Sequence, residues 1–306
     1  MIAAKIAAAL GGAHRSGAWW RCRCPAHGSI GATLALRDGE RRLLLKCFGG
    51  CHPRDVLDEL RRRGLLNEEG GSKNVRPAPD TVERNRGAEV RERQQRIANA
   101  LDLWGECHSA PGTIVERYLR SRGFVGPIPP SLRMHGMLRH RERGGSRPAM
   151  VALVEHVERG PVAVHITYLA IDGSMQATVE PRKRSLGPVG GAAVRLAPAG
   201  ELLMVAEGIE TGMAAMQARG QPAWAALSTS GLVALVLPAI VGTVVILADN
   251  DANGAGERAA LAAAARWLAE GRQVKIARPP EPGTDFNDVL LGRAHARVME
   301  ARDGAA

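Results

Sequence analysis

The sequence predicts an α/β protein in which a small zinc ribbon precedes a mixed α/β subdomain and a doubly wound parallel sheet. Four of the five cysteines fall within the first 51 residues, short alternating apolar runs begin near Ala149, and from Glu201 onward buried strands alternate with helical segments. We therefore predict five segments along the chain. They are a metal-binding ribbon at 1–66, a linker at 67–96, a basic subdomain at 97–196, a parallel sheet at 197–292 and a tail at 293–306.

The chain has 306 residues, of which 45% are hydrophobic and 24% charged. This composition is typical of globular protein and is enough for two or three compact units. No apolar run has the length needed to cross a bilayer, and the first residues show no convincing cleavage pattern. We expect a cytoplasmic protein with no membrane partner.

The formal charge of +10 is unevenly distributed. Residues 1–66 contain 12 Lys or Arg against 5 Asp or Glu, and residues 67–196 contain 20 against 14. Residues 197–292 reverse the sign, with 6 against 10. A basic front and an acidic rear suit a protein that binds a polyanion and also attracts cations. The alternative is that the charges only solvate the surface of an Arg-rich protein.

The first unit carries a candidate metal site. Cys24 and His27 form one close pair, and Cys47 and Cys51 form a second pair after a spacer that resembles a β-hairpin. Zinc prefers four sulfur or nitrogen ligands in a tetrahedron, which two close pairs on two turns supply with little strain. Cys22 and His52 remain alternative ligands. A unit this small has little core, so we expect structural zinc to supply much of its stability.

Arginines and aromatic residues surround these ligands. Guanidinium groups contact phosphates and aromatic rings stack on unpaired bases, so the pattern favours a single-stranded nucleic acid as ligand, with Trp20 and Arg42 among the contacts. The competing interpretation is that Trp19, Trp20 and Phe48 form a small core. For Phe48 we expect the core, and for one of the tryptophans both interpretations stay open.

Acidic residues follow the predicted strands of the rear unit. Glu207 ends one strand, Asp249 and Asp251 end another, and Asp285 follows a later strand. The carboxyl ends of parallel strands meet at one edge of a sheet, so these carboxylates should converge. Their mutual repulsion calls for cations, and oxygen ligands select Mg²⁺ or Mn²⁺. The alternative is a glycine-rich loop in which the acids cap helices.

The strings EGIET, ADNDANG and DFND together resemble the Toprim domain of primases, topoisomerases and some nucleases. The resemblance covers about ninety residues and implies phosphoryl transfer on nucleic acid. It assigns Glu207 as the acid/base glutamate, Asp249 and Asp251 as the metal-binding pair, and Asp285 as a further metal ligand. Asp288 is a weaker candidate for the same role.

The ribbon and the Toprim-like segment in one chain resemble the DNA primases of bacteria, phages and mobile elements. One departure is that CFGGC places three residues between its cysteines, where the primase ribbon usually has two. The resemblance implies synthesis of short RNA primers from ribonucleoside triphosphates on single-stranded DNA, by metal-dependent nucleotidyl transfer during replication. It also implies that the basic subdomain contacts nucleotide or DNA, for which the candidates are Arg182, Lys183 and Arg184. A plain surface role stays open for all three.

Two other functions remain open. A Toprim nuclease would use the same metals with water as nucleophile, and a non-catalytic accessory of a replication complex would only bind single-stranded DNA. A topoisomerase is disfavoured because it needs an attacking tyrosine and a large gate, and only Tyr118 and Tyr168 are present. The sequence has no glycine-rich phosphate loop ending in Lys-Ser/Thr, so we expect any coupled helicase to be a separate protein.

Overall fold

A computed structural model describes residues 2–29, 31–39, 42–66, 79–140, 144–250, 254–279 and 281–292. The chain divides into two compact units, Met1–Gln94 and Gln95–Ala306. The bounds of the five predicted segments stay predictions.

The first unit contains an antiparallel sheet whose four strands pair in chain order. Two helices flank these strands along the chain, and the second begins with Pro53, whose missing N–H is not needed at a helix start. A small apolar core includes Ile6, Leu34, Leu36 and Leu60, all buried. The elements are α1 Ile2–Leu10, β1 His14–Ser16, β2 Trp19–Cys22, β3 Leu34–Asp38, β4 Leu43–Cys47 and α2 Pro53–Arg62.

A long helix spans the end of the first unit and the start of the second. The part of the second unit that follows it is mainly antiparallel, as the alternating apolar runs predict. Strand β7 carries most of the pairing, since it joins β6, β8 and β10. The elements are α3 Pro79–Gly105, β5 His108–Ser109, α4 Ile114–Ser121, β6 Leu132–Arg139, β7 Ser146–His156, β8 Gly160–Tyr168, β9 Lys183–Leu186 and β10 Ala192–Arg195.

The rear of the second unit is a parallel sheet with strands in the order β14-β13-β11-β12. Strands β11, β12 and β13 are short apolar runs that are mostly buried, as expected for a parallel sheet, whereas β14 lies at the edge of the sheet and is largely exposed. The elements are β11 Leu202–Ala206, α5 Ile209–Arg219, β12 Ala223–Ala225, α6 Thr229–Ala234, β13 Thr243–Leu247, α7 Ala255–Ala269, β14 Gln273–Ala277 and α8 Phe286–Leu290. The predicted α/β class and the parallel sheet are confirmed.

Strand β12 joins the parallel and antiparallel parts. It runs parallel to β11 on one side and antiparallel to β10 on the other. Together the described strands of this unit form a ten-stranded sheet. Among the described residues, no helix combines the length and apolar character that a bilayer span requires.

Candidate functional site

The first unit brings the two predicted metal-ligand pairs together. Cys24 follows β2, His27 lies in the next turn, Cys47 ends β4 and Cys51 precedes α2. Their ligand atoms all lie within 4.8 Å of one another. Nδ1 of His27 is 2.9 Å from Sγ of Cys51 and 3.6 Å from Sγ of Cys47. Three sulfurs and one imidazole are a donor set that fits zinc, so the chain contains a Cys/His group able to bind it.

The two alternative ligands have other roles. Cys22 is fully buried among the apolar side chains of the ribbon core. His52 caps α2, where its Nδ1 accepts a hydrogen bond from the backbone N–H of Arg54. Burial and the neighbouring thiol of Cys47 raise the pKa of Cys51 to about 11. A bound cation would reverse this preference and favour the thiolate.

Phe48 does not lie in the core, so our expectation for it was wrong. Its side chain is 56% exposed. The guanidinium of Arg21 lies 4.1 Å from the ring centroid and Nζ of Lys46 lies 5.1 Å from it. The ribbon is too thin to cover both sides of its sheet, so one large ring stays at the surface between two cations. Trp20 is half-buried against the core, whereas Arg42 is exposed.

In the second unit, Glu207 directly follows β11 and Asp249 follows β13, its parallel neighbour. Both residues also approach the first turn of α7. A Cβ atom placed on Gly256 would lie 3.6 Å from Oε1 of Glu207 and 3.2 Å from the carbonyl oxygen of Asp249. Only a glycine leaves this space open. The structure therefore brings Glu207 and Asp249 to one edge of the sheet.

Asn250 connects this edge to the loop that precedes Asp285. It is buried, its Nδ2 donates to the carbonyl oxygen of Pro279 at 3.0 Å, and its Oδ1 accepts from Nε of Arg278 at 3.0 Å. The backbone N–H of Gly283 also donates to the carbonyl oxygen of Asn250. Sequence reasoning passed over Asn250, although it stands between the two aspartates of ADND.

Asp285 and Asp288 cap α8. Oδ1 of Asp285 accepts from the backbone N–H of Asp288 at 2.8 Å, and Oδ2 of Asp288 accepts from the N–H of Asp285 at 3.3 Å. This is a reciprocal capping box. Asp251 lies outside the described residues. Within the part of the chain that the structure describes, only the Cys/His group brings three or more ligand atoms within 4.8 Å of one another.

The backbone near the Glu207 edge of the sheet has a strained residue. Leu227 follows β12 with a φ of +70°, a left-handed conformation that costs a leucine free energy. Its N–H donates to the carbonyl oxygen of Glu207 at 2.8 Å, so the strained residue fixes the turn that carries the glutamate. Helices α5 and α7 both begin here after a glycine N-cap without a side-chain cap. Such N-termini favour anions.

Two family models match the second unit. Residues 94–196 match a model described only as a domain of unknown function, DUF7146. Residues 202–296 match the model of the Toprim domain, which agrees with the parallel sheet and the acids at its edge. Residues 202–296 are a Toprim domain.

Solved primase structures are also similar to the chain. The zinc-binding and RNA polymerase domains of the Aquifex aeolicus primase align at 14% identity with a TM-score of 0.41, over all of this chain and 83% of that one. A primase domain from Pseudomonas aeruginosa aligns at 17% identity with a TM-score of 0.35, over 55% of this chain and 56% of that one. The RNA polymerase domain of Mycobacterium tuberculosis primase DnaG aligns at 17% identity with a TM-score of 0.34, over 62% of each chain. These TM-scores are low, so the fold assignment depends on the Toprim match and the sheet. No curated protein matches the chain.

The predicted phosphate-binding residues occupy three different environments. Nζ of Lys183 lies 3.1 and 3.0 Å from the two carboxylate oxygens of Glu210, in the first turn of α5. Nε of Arg184 donates to the hydroxyl oxygen of Tyr168 at 3.1 Å. Arg182 lines an open cavity of about 760 Å³. Other residues lining this cavity include Tyr118, Arg122 and Gln176.

Glu210 belongs to EGIET but was not predicted as a site residue, and it is 7% exposed. Oε1 accepts hydrogen bonds from the hydroxyl of Tyr118 at 2.7 Å and from Nε2 of Gln176 at 3.2 Å. Burial opposes its ionisation, but the charge of Lys183 and these bonds more than compensate, so its pKa is lowered to about 2. Among the described residues, Glu210 is thus the one buried acid of the Toprim domain, since Glu207, Asp249 and Asp285 are only partly buried.

Proposed function

We propose that this protein is a DNA primase that synthesises short RNA primers on single-stranded DNA. The observation that carries the proposal is the presence in one chain of a Cys/His group able to bind zinc and a Toprim domain with Glu207 and Asp249 at its sheet edge. The Toprim domain alone supports phosphoryl transfer of several kinds, and the zinc ribbon favours primer synthesis.

The carboxylates of the Toprim edge would hold the metal. Glu207, Asp249, Asp251 and Asp285 supply oxygen ligands of the kind that Mg²⁺ or Mn²⁺ prefers, and Asp285 keeps an oxygen beyond the one that caps α8. When bound, the metal supplies positive charge that neutralises the nucleotide phosphates and lowers the pKa of a hydroxyl. The start of α5, where the Gly208 N-cap has no side chain to make a capping hydrogen bond, would add donors for phosphate oxygens at the same edge.

In the proposed reaction, the 3′-hydroxyl of one ribonucleotide attacks the α-phosphorus of the next. The new phosphodiester bond forms as the bond to pyrophosphate breaks, and the hydroxyl proton passes to a base, for which Glu207 is the candidate. Lys183 would neutralise a phosphate oxygen. Most of the rate enhancement would come from positioning and charge.

The ribbon would hold the template. Phe48 presents an exposed ring between Arg21 and Lys46, which suits stacking on a base with phosphates on either side. Trp20 and Arg42 remain candidates for the same surface. Because the chain carries no helicase motif, priming at a replication fork would require a separate helicase.

The test is incubation of the full chain with mixed-sequence single-stranded DNA, labelled ribonucleoside triphosphates and Mg²⁺, with the products separated by length. We expect short labelled oligomers from the wild type. Glu207→Gln should remove them while leaving DNA affinity within about twofold, because the change keeps the shape of the side chain and removes the base.

Two results would contradict the proposal and favour another function. Mg²⁺-dependent loss of labelled DNA without added nucleotides would identify a nuclease. DNA binding without any product, unaffected by Asp249→Asn, would identify a non-catalytic accessory.

A further inference from the structure

The ion pair between Lys183 and Glu210 joins the segment that matches DUF7146 to the Toprim domain. Lys183 begins β9, and Glu210 lies in the first turn of α5. Tyr118 and Gln176, also from residues 94–196, bind the same carboxylate. Three side chains from one segment thus converge on one acid of the other.

This cluster lies next to the turn that carries Glu207. A Cβ atom placed on Gly208 would be 3.8 Å from Oε2 of Glu210, so the Glu210 carboxylate folds back over the residue that follows Glu207. Lys183 binds that same oxygen at 3.0 Å. The ammonium is therefore held close to the acidic edge of the Toprim domain.

The two partners differ in exposure. Glu210 is buried, whereas the side chain of Lys183 is 37% exposed. Among the described residues, both hydrogen bonds of the ammonium go to Glu210. An ammonium has three protons, so the third remains for a ligand on the solvent side.

A purely structural role explains this arrangement poorly. Burying a carboxylate is costly, and an apolar pair of similar volume would be as stable or more stable. A buried acid with a strongly lowered pKa, such as Glu210, is more typical of a functional site. Tyr118 and Gln176 line the cavity of about 760 Å³, which places the cluster at its wall.

We infer that Glu210 is a positioning residue that fixes the Lys183 ammonium beside the Glu207 turn, where it binds a phosphate group of the incoming nucleoside triphosphate. The inference rests on the proposed function for the identity of the nucleotide. Glu210 does not contact the nucleotide itself. It acts by keeping a long, flexible side chain in one place.

The test compares Glu210→Gln, Lys183→Met and the double variant as full-length proteins. Glu210→Gln should raise the KM for nucleoside triphosphate about ten- to hundredfold, the range of one lost charged hydrogen bond, with a much smaller change in kcat. Lys183→Met should raise KM by a similar factor. The double variant should match Lys183→Met, because Glu210 acts only through the lysine.

A second measurement does not depend on primer synthesis. The affinity of each protein for the fluorescent analogue mant-ATP, measured at equilibrium, should fall most in the variants whose KM rises most. Glu210→Asp, which keeps the charge but shortens the reach, should recover part of the affinity. Glu270→Gln is the matched control, since it removes the charge of an exposed glutamate paired with Arg272 elsewhere in the Toprim domain.

The outcomes separate the two proposals. If the wild type binds mant-ATP and the variants weaken it, but no primers form, primer synthesis is refuted and the positioning role stands. If Glu210→Gln folds and binds mant-ATP as the wild type does, the positioning role is wrong. If Glu210→Gln does not fold but the double variant folds and binds mant-ATP as tightly as the wild type, the pair is only structural and the inference is overturned.

Discussion

Nδ2 of Asn287 donates a hydrogen bond of 2.6 Å to the carbonyl oxygen of Arg122, although 165 positions separate the two residues. Gln217 makes a similar connection, since its Nε2 donates to the carbonyl oxygen of Gly123 and its Oε1 accepts from the N–H of Val125. Both side chains belong to the Toprim domain and both bind the loop after α4. Specific hydrogen bonds thus add to the apolar cluster that the two segments of the second unit share.

The zinc assignment can be tested by replacing predicted ligands and the two alternative residues one at a time. Cys51→Ala and His27→Ala should each lower bound zinc well below one ion per chain, because each removes one of four ligands. Cys22→Ala and His52→Ala should keep one ion, since Cys22 packs in the core and His52 caps α2. Atomic emission analysis of the purified proteins measures this. Loss of zinc in Cys22→Ala with retention in Cys51→Ala would reverse the assignment.

Phe48 offers a test of template binding. Phe48→Ala should weaken binding of single-stranded DNA by about 5- to 150-fold, since stacking of one base on a ring contributes roughly 1–3 kcal/mol. Phe48→Trp should retain the affinity. The ring is largely exposed, so thermal stability and zinc content should change little in both. Fluorescence anisotropy with a labelled oligonucleotide at fixed salt measures the effect, and equal affinities of wild type and Phe48→Ala would exclude the ring as a contact.

Because His165 is buried, we predict that the free energy of unfolding depends on pH. Burial, followed by the charge of Lys183, lowers its pKa from 6.5 to about 4. The unfolded chain therefore binds a proton that the folded chain rejects, so the free energy of unfolding should fall as pH drops from 6.5 towards 4, by up to about 3 kcal/mol. Glu210 contributes to pH dependence only below its ordinary pKa of 4.5, because its folded value is lower.

His165→Gln isolates this effect. The variant should show a flatter loss of stability between pH 6.5 and 4.5, measured by urea unfolding followed by circular dichroism. Other titrating groups contribute equally to both proteins and cancel in the difference. Parallel curves for wild type and variant over this range would mean that His165 has the same pKa in the folded and the unfolded chain.

Gly256 tests the geometry of the Toprim edge. The added methyl of Gly256→Ala would press on the carbonyl oxygen of Asp249 at 3.2 Å and approach Glu207. We expect primer synthesis to fall roughly tenfold or more, because small displacements of reacting groups are costly. Gly105→Ala is the control, since a methyl there meets no atom within 4 Å. Full activity of Gly256→Ala would mean that the acids tolerate displacement.

The parts of the fold that local pattern determines could be predicted from sequence. The strands β11 and β13 are apolar runs that are typical of buried strands, and the residues of each metal-ligand pair are close in the chain. Glu210 was missed because its partners Lys183 and Tyr118 lie 27 and 92 positions away. Phe48 was misjudged because an apolar residue next to a ligand does not reveal how little core the ribbon has. The capping role of Asp285 depends on where α8 begins, which the sequence did not specify.

The position of β12 has a consequence for how such chains can diversify. Its ladder to β10 crosses the short stretch between the two family matches, whereas its ladder to β11 lies within the Toprim match. A Toprim domain cut out at this stretch would keep β12 with one side unpaired, an exposed edge that invites aggregation. Recombination between related chains should therefore exchange the segments on both sides of this stretch as one block.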